Sequence, residues 1–148
     1  MPPPQAADTP LIEHRIDLDV QVFDTDCFGV MWHGAYIKWL ELGRVKLMES
    51  LGLRLSRPEE TEGYIYPVVE QRLRFRAPAL YQNHLTLTTR LVVDGFKLHF
   101  HQEFFSVEQQ KVTLEADTLV MVCDMNWKLQ RRIPAFLLEK LAVAMLSD

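Results

Sequence analysis

The segment that decides the fold covers residues 23–36 and has the sequence FDTDCFGVMWHGAY. Two glycines and two aspartates prevent it from continuing as a regular strand, so we predict an ordered loop. Before this loop, residues 13–22 alternate apolar and polar side chains, which is the pattern of a half-buried strand. After it, residues 35–51 repeat apolar side chains at helical spacings, and Gly52 is a natural residue to end that helix.

The chain beyond this helix has mainly the alternating pattern of β-strands. Four further strands are predicted, at about residues 69–75, 85–93, 98–104 and 112–123. Asp94-Gly95 is a strong turn signal between two of them. Pro134 is well placed to begin a short C-terminal helix that reaches Met145. This order predicts an α+β domain, in which one long helix packs on an antiparallel sheet of about five strands.

Composition limits the classes of protein that the chain can belong to. Its 148 residues are 48% hydrophobic and 24% charged, which is typical of one globular domain and excludes a disordered chain. A formal net charge of -4 provides no general attraction to nucleic acid or to an anionic membrane. No apolar run approaches the ~20 residues that a membrane-spanning helix needs. We therefore expect neither a nucleic-acid partner nor membrane insertion.

The N-terminus and the cysteines point to the same environment. Residues 1–12 are rich in proline and alanine and lack the pattern of a signal peptide, so we expect a flexible tail followed by a single domain over residues 13–148. Cys27 and Cys123 are too few for a disulfide framework, which favours a reducing compartment and a cytoplasmic location.

Residues 24–36 resemble the signature of the hotdog-fold thioesterases of the 4-hydroxybenzoyl-CoA type, a family that includes the acyl-CoA thioesterases associated with the Tol-Pal system. The shared pattern is Asp-Thr-Asp, two variable residues, Gly-Val, an apolar residue, an aromatic residue, His, a small residue and a nearby Tyr. Further matches are Tyr66-Pro67-Val68-Val69, Phe75 with Pro78, the Gly95 turn and Ile133-Pro134. The resemblance implies the hotdog fold, in which a sheet wraps one long helix, and hydrolysis of acyl- or aroyl-CoA thioesters to free acid and CoA.

The resemblance also implies which residues form the site. Asp26 is expected to be the catalytic carboxylate, acting either as a nucleophile or as the base that activates water. The oxyanion that develops needs donors, and the start of the long helix offers unpaired N–H groups between Trp32 and Ala35. His33 and Gly34 complete the expected catalytic set. The residues expected to contact the substrate are Phe28, Gly29, Val30, Trp32, Tyr36 and Tyr66.

Taken alone, these residues allow other interpretations. An isolated Asp-Thr-Asp more often forms a turn or a helix cap, and His33 can equally be a loop histidine with a local hydrogen bond. Cys27 as a nucleophile would need an adjacent base or cation, and the family leaves this position variable. Trp32 and Cys27-Phe28 depart from the common family pattern, which leaves the acyl preference open.

Other functions and assemblies follow from the same fold. A hydratase acting on CoA or acyl-carrier-protein substrates should carry a His-and-acid motif on the helix, which is absent from this sequence. A non-catalytic acyl-thioester binding module would lose the carboxylate that Asp26 provides. The resemblance implies a homodimer or homotetramer with a site shared between two subunits, and no cofactor besides the CoA of the substrate.

Three further sets of charged or metal-binding side chains lie outside this signature. His99 and His101 share a strand face, but with no acid or cysteine in view to complete a ligand set we expect a solvated or interface face and no metal. A row of three arginines on another strand suits CoA phosphates, an acidic patch of another subunit or solvent equally: Arg72, Arg74 and Arg76. Glu41 and Arg44 have the spacing of a structural ion pair on the helix.

Overall fold

The computed structural model describes residues 12–60 and 62–146, which build one five-stranded antiparallel sheet, a separate two-stranded ladder and two α-helices. The strands are β1 (Ile12–Asp19), β2 (Tyr64–Ile65), β3 (Val68–Phe75), β4 (His84–Asp94), β5 (Lys97–Ser106), β6 (Lys111–Met121) and β7 (Cys123–Asp124). The helices are α1 (His33–Ser50) and α2 (Ala135–Leu146). The large sheet has the order β1-β4-β5-β6-β3, and β2 pairs with β7. The predicted α+β architecture is confirmed.

The core lies between α1 and one face of the large sheet, because most inward-facing residues of the strands are apolar. Around the first half of α1, Tyr36 and Leu40 pack with Phe104 and Leu114. Around its second half, the buried cluster also includes side chains of α2 and of β5: Leu47, Met48, Leu98, Phe100, Leu137 and Leu141. Burial of each large apolar side chain contributes about 1.5–3 kcal/mol, so these two clusters hold α1 against the sheet.

Gly43 allows α1 to approach the sheet closely at mid-helix. A Cβ atom at this position would lie 2.8 Å from the Gln102 amide nitrogen, from a Leu87 methyl and from the Thr89 hydroxyl. Gln102 uses the same proximity to donate to the Leu40 carbonyl at 3.0 Å and to the Thr89 hydroxyl at 3.0 Å. A polar side chain is therefore fully satisfied inside the core, which fixes the height of α1 above β4 and β5.

The ends of two elements differ from the sequence prediction. The first strand ends at Asp19 rather than residue 22, and Val22 is 69% exposed in a 3-10 turn (Val22–Asp24). The turn forms because the Asp24 carboxylate accepts the Gln21 N–H at 2.9 Å. The long helix begins at His33, two residues before the predicted start, and ends as expected with Gly52 at φ +84°.

The sheet face opposite α1 corrects the expectation for His99 and His101. His99 is fully buried and its Nε2 lies 2.8 Å from the Asp117 carboxylate, while His101 Nδ1 lies 2.9 Å from the same oxygen. Arg74 Nη2 completes the cluster at 2.6 Å from the other oxygen of Asp117. Both histidines thus bind a carboxylate, so the solvated alternative is wrong for the buried His99, and the interface alternative stays a prediction. The sequence did not indicate this contact because Asp117 lies on the neighbouring strand.

The arginine row is divided by the same contacts. Arg74 pairs with Asp117, and Arg76 pairs with Glu115 at 2.8 Å, so both are engaged within the chain. Arg72 is exposed on the same strand.

The two edge strands of the large sheet, β1 and β3, differ in the side chains that they expose. β1 carries charged side chains along its exposed positions, among them Glu13, Arg15 and Asp17. β3 exposes apolar side chains besides Glu70 and Arg72, with Phe75 59% exposed and Val68 and Val69 nearly half exposed. Charges protect an edge strand from pairing, whereas an exposed apolar edge favours association.

The expected boundary between tail and domain can be compared with the structure. Ile12, the first residue of β1, is buried and pairs with Leu91 of β4, so β1 begins one residue before the expected domain start. The remainder of the expected tail, residues 1–11, lies outside the described residues. In the part of the chain that the structure describes, neither helix is long and apolar enough to cross a bilayer.

Candidate active site

The loop between β1 and α1 folds back on itself, so that residues 24–26 pair with residues 30–32. Thr25 lies opposite Met31, and the Asp26 N–H donates to the Val30 carbonyl at 2.9 Å. At the tip, Gly29 has φ +76°, a conformation that glycine adopts without steric cost. At the base, the Trp32 N–H donates to the Asp24 carbonyl at 3.1 Å. The loop is therefore ordered by its own backbone, as the sequence predicts.

The loop is also fixed to its neighbours. The Met31 N–H donates to the Ala79 carbonyl at 2.8 Å, and the Tyr81 N–H donates to the Gly29 carbonyl at 3.2 Å. The buried Asp24 carboxylate binds Lys38 Nζ on α1 at 3.0 Å. These contacts join the loop to the segment that precedes β4 on one side and to the helix on the other.

The two acids of the Asp-Thr-Asp triplet have different environments. Asp24 is fully buried and holds a turn and a lysine, which is a structural role. Asp26 is exposed, and its Oδ1 accepts the Phe28 N–H at 2.8 Å and, more weakly, the Val30 N–H at 3.4 Å. Its other carboxylate oxygen accepts no hydrogen bond from the described residues. The second acid is thus oriented by the loop and retains an oxygen that can act on a ligand.

The N-terminus of α1 lies at the base of this loop and narrows the set of predicted donors. The Trp32 N–H is bonded to Asp24, and the Ala35 N–H is bonded to the Trp32 carbonyl at 3.0 Å, so neither is available. Among the described residues, the N–H groups of His33 and Gly34 have no acceptor. Asp26 is two residues beyond the Asp24 and Trp32 pair, or roughly 7 Å along the loop. A carboxylate and two free N–H groups with a positive helix dipole therefore occupy one end of the fold.

Trp32 covers this end of the helix. Its indole occupies the position that a Cβ atom of Gly34 would take, since the nearest ring carbon would be only 2.1 Å away. The indole also meets the His33 ring edge-on with centroids 5.5 Å apart. Gly34 is consequently required for the close packing of Trp32 on the first turn of α1, and the exposed His33 imidazole lies beside the same surface.

The remaining predicted contact residues lie in three different places: the loop tip, the core and a cavity beside α1. Phe28, Gly29 and Val30 lie with Asp26 at the loop tip, and Phe28 is 82% exposed. Tyr36 is instead 1% exposed in the core, where its ring packs edge-on against Phe75 and Phe104. The prediction that Tyr36 lies on a pocket wall is therefore not met within one chain. Burial raises the pKa of Tyr36.

Tyr66 lines a cavity of about 290 Å³ beside the second half of α1, away from the loop tip. Arg44, which sequence analysis assigned to an ion pair with Glu41, is buried and projects into this cavity. The pair is not formed, although the charge of Glu41 acts on Arg44 over a longer distance. Sequence reasoning missed Arg44 as a cavity residue, because a charged residue at an (i, i+3) spacing normally lies on the solvated face.

No three His, Cys, Asp or Glu side chains gather as a metal site within residues 12–60 and 62–146. The expectation that the protein uses neither a metal nor a cofactor stays a prediction. Cys27 is an exposed free thiol next to Asp26, and Cys123 is buried.

Comparison with known proteins places the chain in a family. The family described as the thioesterase-like superfamily matches residues 20–141. A Synechocystis protein named as a candidate esterase is 31% identical over 129 residues, which are 86% of this chain and 77% of the relative. YneP of Bacillus subtilis, named as a candidate acyl-CoA thioesterase, is 30% identical over 82 residues, which are 55% of this chain and 59% of YneP.

A solved structure agrees with the fold. A DHNA-CoA thioesterase from Staphylococcus aureus superposes with a TM-score of 0.77 over 90% of this chain and 91% of its own, at 20% identity. A similarity at 20% identity is evidence for the fold alone, and the expected hotdog architecture is confirmed.

Proposed function

Because this chain belongs to the thioesterase-like superfamily, we propose that it hydrolyses acyl-CoA or aroyl-CoA thioesters to the free acid and CoA. The observation that carries the proposal is the pairing of an ordered, exposed Asp26 carboxylate with two unoccupied backbone donors at the start of α1. Serine chemistry has no counterpart in the sequence, which lacks a Gly-x-Ser-x-Gly elbow.

The proposed reaction uses the loop and the helix in turn. The thioester carbonyl oxygen lies at the N–H groups of His33 and Gly34, where the helix dipole stabilises the negative charge that develops. Asp26 either attacks the carbonyl carbon directly or removes a proton from a water molecule that does so. The tetrahedral intermediate then collapses, the C–S bond breaks and CoA leaves as its thiolate. If water attacks, the free acid forms in this step and the proton taken up by Asp26 passes to the thiolate. If Asp26 attacks, the acyl group remains on it as a mixed anhydride, which water then hydrolyses to the free acid and the Asp26 carboxylate.

His33 and Trp32 form the surface on which the thioester would lie. We assign His33 as a donor or orienting group on the carbonyl side, and we assign Trp32, Phe28, Gly29 and Val30 to substrate contact. The exposure of Phe28 and of Asp26 in the single chain supports a site that a second subunit completes.

We also propose a homodimer or homotetramer that associates through β3. Its exposed Val68, Val69 and Phe75 would otherwise leave apolar side chains in solvent at this edge, whereas the exposed side chains of β1 are charged. Sedimentation velocity on the purified protein tests this, and a monomer at micromolar concentration would contradict it. A cytoplasmic location is part of the same proposal and is supported by the free thiols of Cys27 and Cys123.

The function is tested by measuring thiol release from a panel of aliphatic and aromatic acyl-CoAs. We expect saturable hydrolysis of some members, and we expect Cys27→Ser to retain that activity because the thiol is outside the proposed machinery. Binding of acyl-CoA with no cleavage would favour the binding-module alternative. Addition of water to an enoyl-CoA without thiol release would favour the hydratase alternative.

A further inference from the structure

The cavity beside α1 has a polar floor inside apolar walls. Its mouth is bordered by Glu41, Ser56 and Val68, which are exposed, and its volume is about 290 Å³. The inner walls are formed by apolar side chains of α1, β5 and β6: Met48, Leu98, Phe100 and Val120. A ligand that enters from this mouth would pass from solvent into a cavity whose walls are mostly apolar.

Arg44 is a buried cation without a matching anion. Its side chain is only 7% exposed, and its one hydrogen bond within the described residues runs from Nη1 to the Gln102 amide oxygen at a long 3.4 Å. No carboxylate of the described residues lies within ion-pair distance of it. Burial lowers the pKa of Arg44, which reflects the cost of holding this charge away from water. A guanidinium has five N–H donors, so most of its capacity is unused.

Tyr66 supplies a second unsatisfied polar atom to the same cavity. Its hydroxyl oxygen is buried and has no hydrogen-bond partner among the described residues. Burial, with a smaller contribution from Tyr64, raises the pKa of Tyr66 to about 12, so the hydroxyl remains a donor. A buried donor left unpaired costs about 1–3 kcal/mol, and a buried charge costs more. Two such groups facing one cavity indicate a ligand that pairs with both.

We propose that this cavity binds a carboxylate carried on a short apolar chain, with Arg44 and Tyr66 as its donors. A carboxylate accepts two parallel hydrogen bonds from a guanidinium, and the apolar walls suit an alkyl or aryl body. The volume corresponds to roughly ten water molecules, enough for a six-carbon acid. If this carboxylate is the far end of the acyl group of the substrate, the inference rests on the proposed function. If the ligand is a free acid, the inference is independent of the proposed function.

Calorimetric titration of the full-length protein with hexanoate and with 1-hexanol tests the proposal. The two probes differ only in the polar end, so we expect hexanoate to bind at least about tenfold more tightly, because charge-assisted hydrogen bonds contribute about 1.5–3 kcal/mol. Absence of saturable hexanoate binding, or equal binding of the alcohol, would overturn the proposal.

Variants assign the binding to this cavity. Arg44→Met should weaken hexanoate binding about tenfold or more, and Tyr66→Phe should weaken it severalfold with almost no change of shape. Glu41→Gln should strengthen hexanoate binding, because it removes a negative charge from the mouth, whereas binding of the neutral 1-hexanol should not change. Lys46→Gln, which removes an exposed cation from the same helix, is the matched control and should bind as the native protein does.

Folding of each variant is verified by its denaturation midpoint. A buried charge replaced by an apolar residue of similar volume is commonly tolerated. If Arg44→Met does not fold, Tyr66→Phe and Glu41→Gln still decide the question. Unchanged hexanoate binding in both of these would overturn the assignment.

The source of the carboxylate is distinguished by kcat/KM for adipoyl-CoA relative to hexanoyl-CoA. A ratio that falls in Arg44→Met identifies the acyl end of the substrate, and an unchanged ratio with impaired hexanoate binding identifies a free acid. Binding is measured without turnover, so a protein that binds hexanoate but hydrolyses nothing would contradict the proposed function and leave this inference standing. Hydrolysis without selective hexanoate binding would do the reverse.

Discussion

The Asp24 carboxylate and the Lys38 ammonium form an ion pair of 3.0 Å that connects the loop carrying Asp26 to the second turn of α1. Asp24 is fully buried and also accepts the Gln21 N–H, so one side chain sets both the turn before the loop and the position of the loop on the helix. Lys38 additionally lies over the Phe23 ring at 4.7 Å, which holds the 3-10 turn of residues 22–24 against the helix.

Asp24→Ala should lower the free energy of unfolding by about 2 kcal/mol, because two hydrogen bonds to a buried charge are lost. It should also lower kcat/KM, since the loop is less well fixed to α1. Urea denaturation measures the first effect. Lys46→Ala, which removes the exposed ion pair with Glu49, is the control and should cost less than about 0.5 kcal/mol. Equal losses in the two variants would contradict the structural role of Asp24.

Gly43→Ala should destabilise the protein although alanine is the better helix former by about 1 kcal/mol. The new Cβ would lie 2.8 Å from side-chain atoms of Gln102, Leu87 and Thr89, so these buried side chains must be displaced or α1 must move away from the sheet. Overpacking of this kind costs about 1–3 kcal/mol. A denaturation midpoint at or above that of the native protein would show that α1 does not approach the sheet as closely as described.

Gly34→Ala and Trp32→Ala should be strongly coupled. Alone, Gly34→Ala forces the indole away from the first turn of α1, because the added Cβ would lie 2.1 Å from a ring carbon. Once the indole is removed, the same change should be tolerated, so a double-mutant cycle should give a coupling energy of about 1 kcal/mol or more. Additive effects on unfolding would mean that Trp32 does not pack on Gly34.

Asp117 should make the stability of the protein depend on acid pH. Burial alone would raise the pKa of Asp117, but hydrogen bonds from His101, His99 and Arg74 outweigh it and hold that pKa well below its usual range. Since the folded-state pKa is depressed, the stabilisation is fully present above the unfolded value of ~3.9 and is lost as the pH falls below it. Unfolding free energies measured between pH 6 and pH 2.5, a range chosen about this value, should therefore fall more steeply in the native protein than in Asp117→Asn. Parallel curves would contradict this cluster.

Much of the fold could be predicted from alternation and spacing because each strand buries one face against α1. The element ends were harder to predict, and Val22 illustrates the reason: its alternation continues the strand pattern, but the Asp24 carboxylate captures the Gln21 N–H and turns the chain. His99 and His101 were misjudged because their partner, Asp117, belongs to the neighbouring strand. Contacts between strands depend on register, which a single sequence states only indirectly.

The sequence predicted which residues belong to the candidate site, but it did not predict which of them are buried or already hydrogen-bonded. The signature places Asp26, His33 and Gly34 together, and the structure adds that Asp24 is structural and that the Trp32 and Ala35 N–H groups are already bonded. Tyr36 was expected near the substrate and is buried in the core, since its helical position faces the sheet. Arg44 was expected on the solvated face of α1 and is also buried, because nothing in its local sequence indicates a buried cation.

The role of Asp26 is tested most directly by kcat/KM of Asp26→Asn on the best thioester from the panel. The amide keeps the shape of the side chain and removes the charge, so it can serve neither as nucleophile nor as base. We predict a loss of at least about a thousandfold, or ~4 kcal/mol of transition-state stabilisation. Asp17→Asn, an exposed carboxylate on β1, should retain native activity. Native activity in Asp26→Asn would contradict the account.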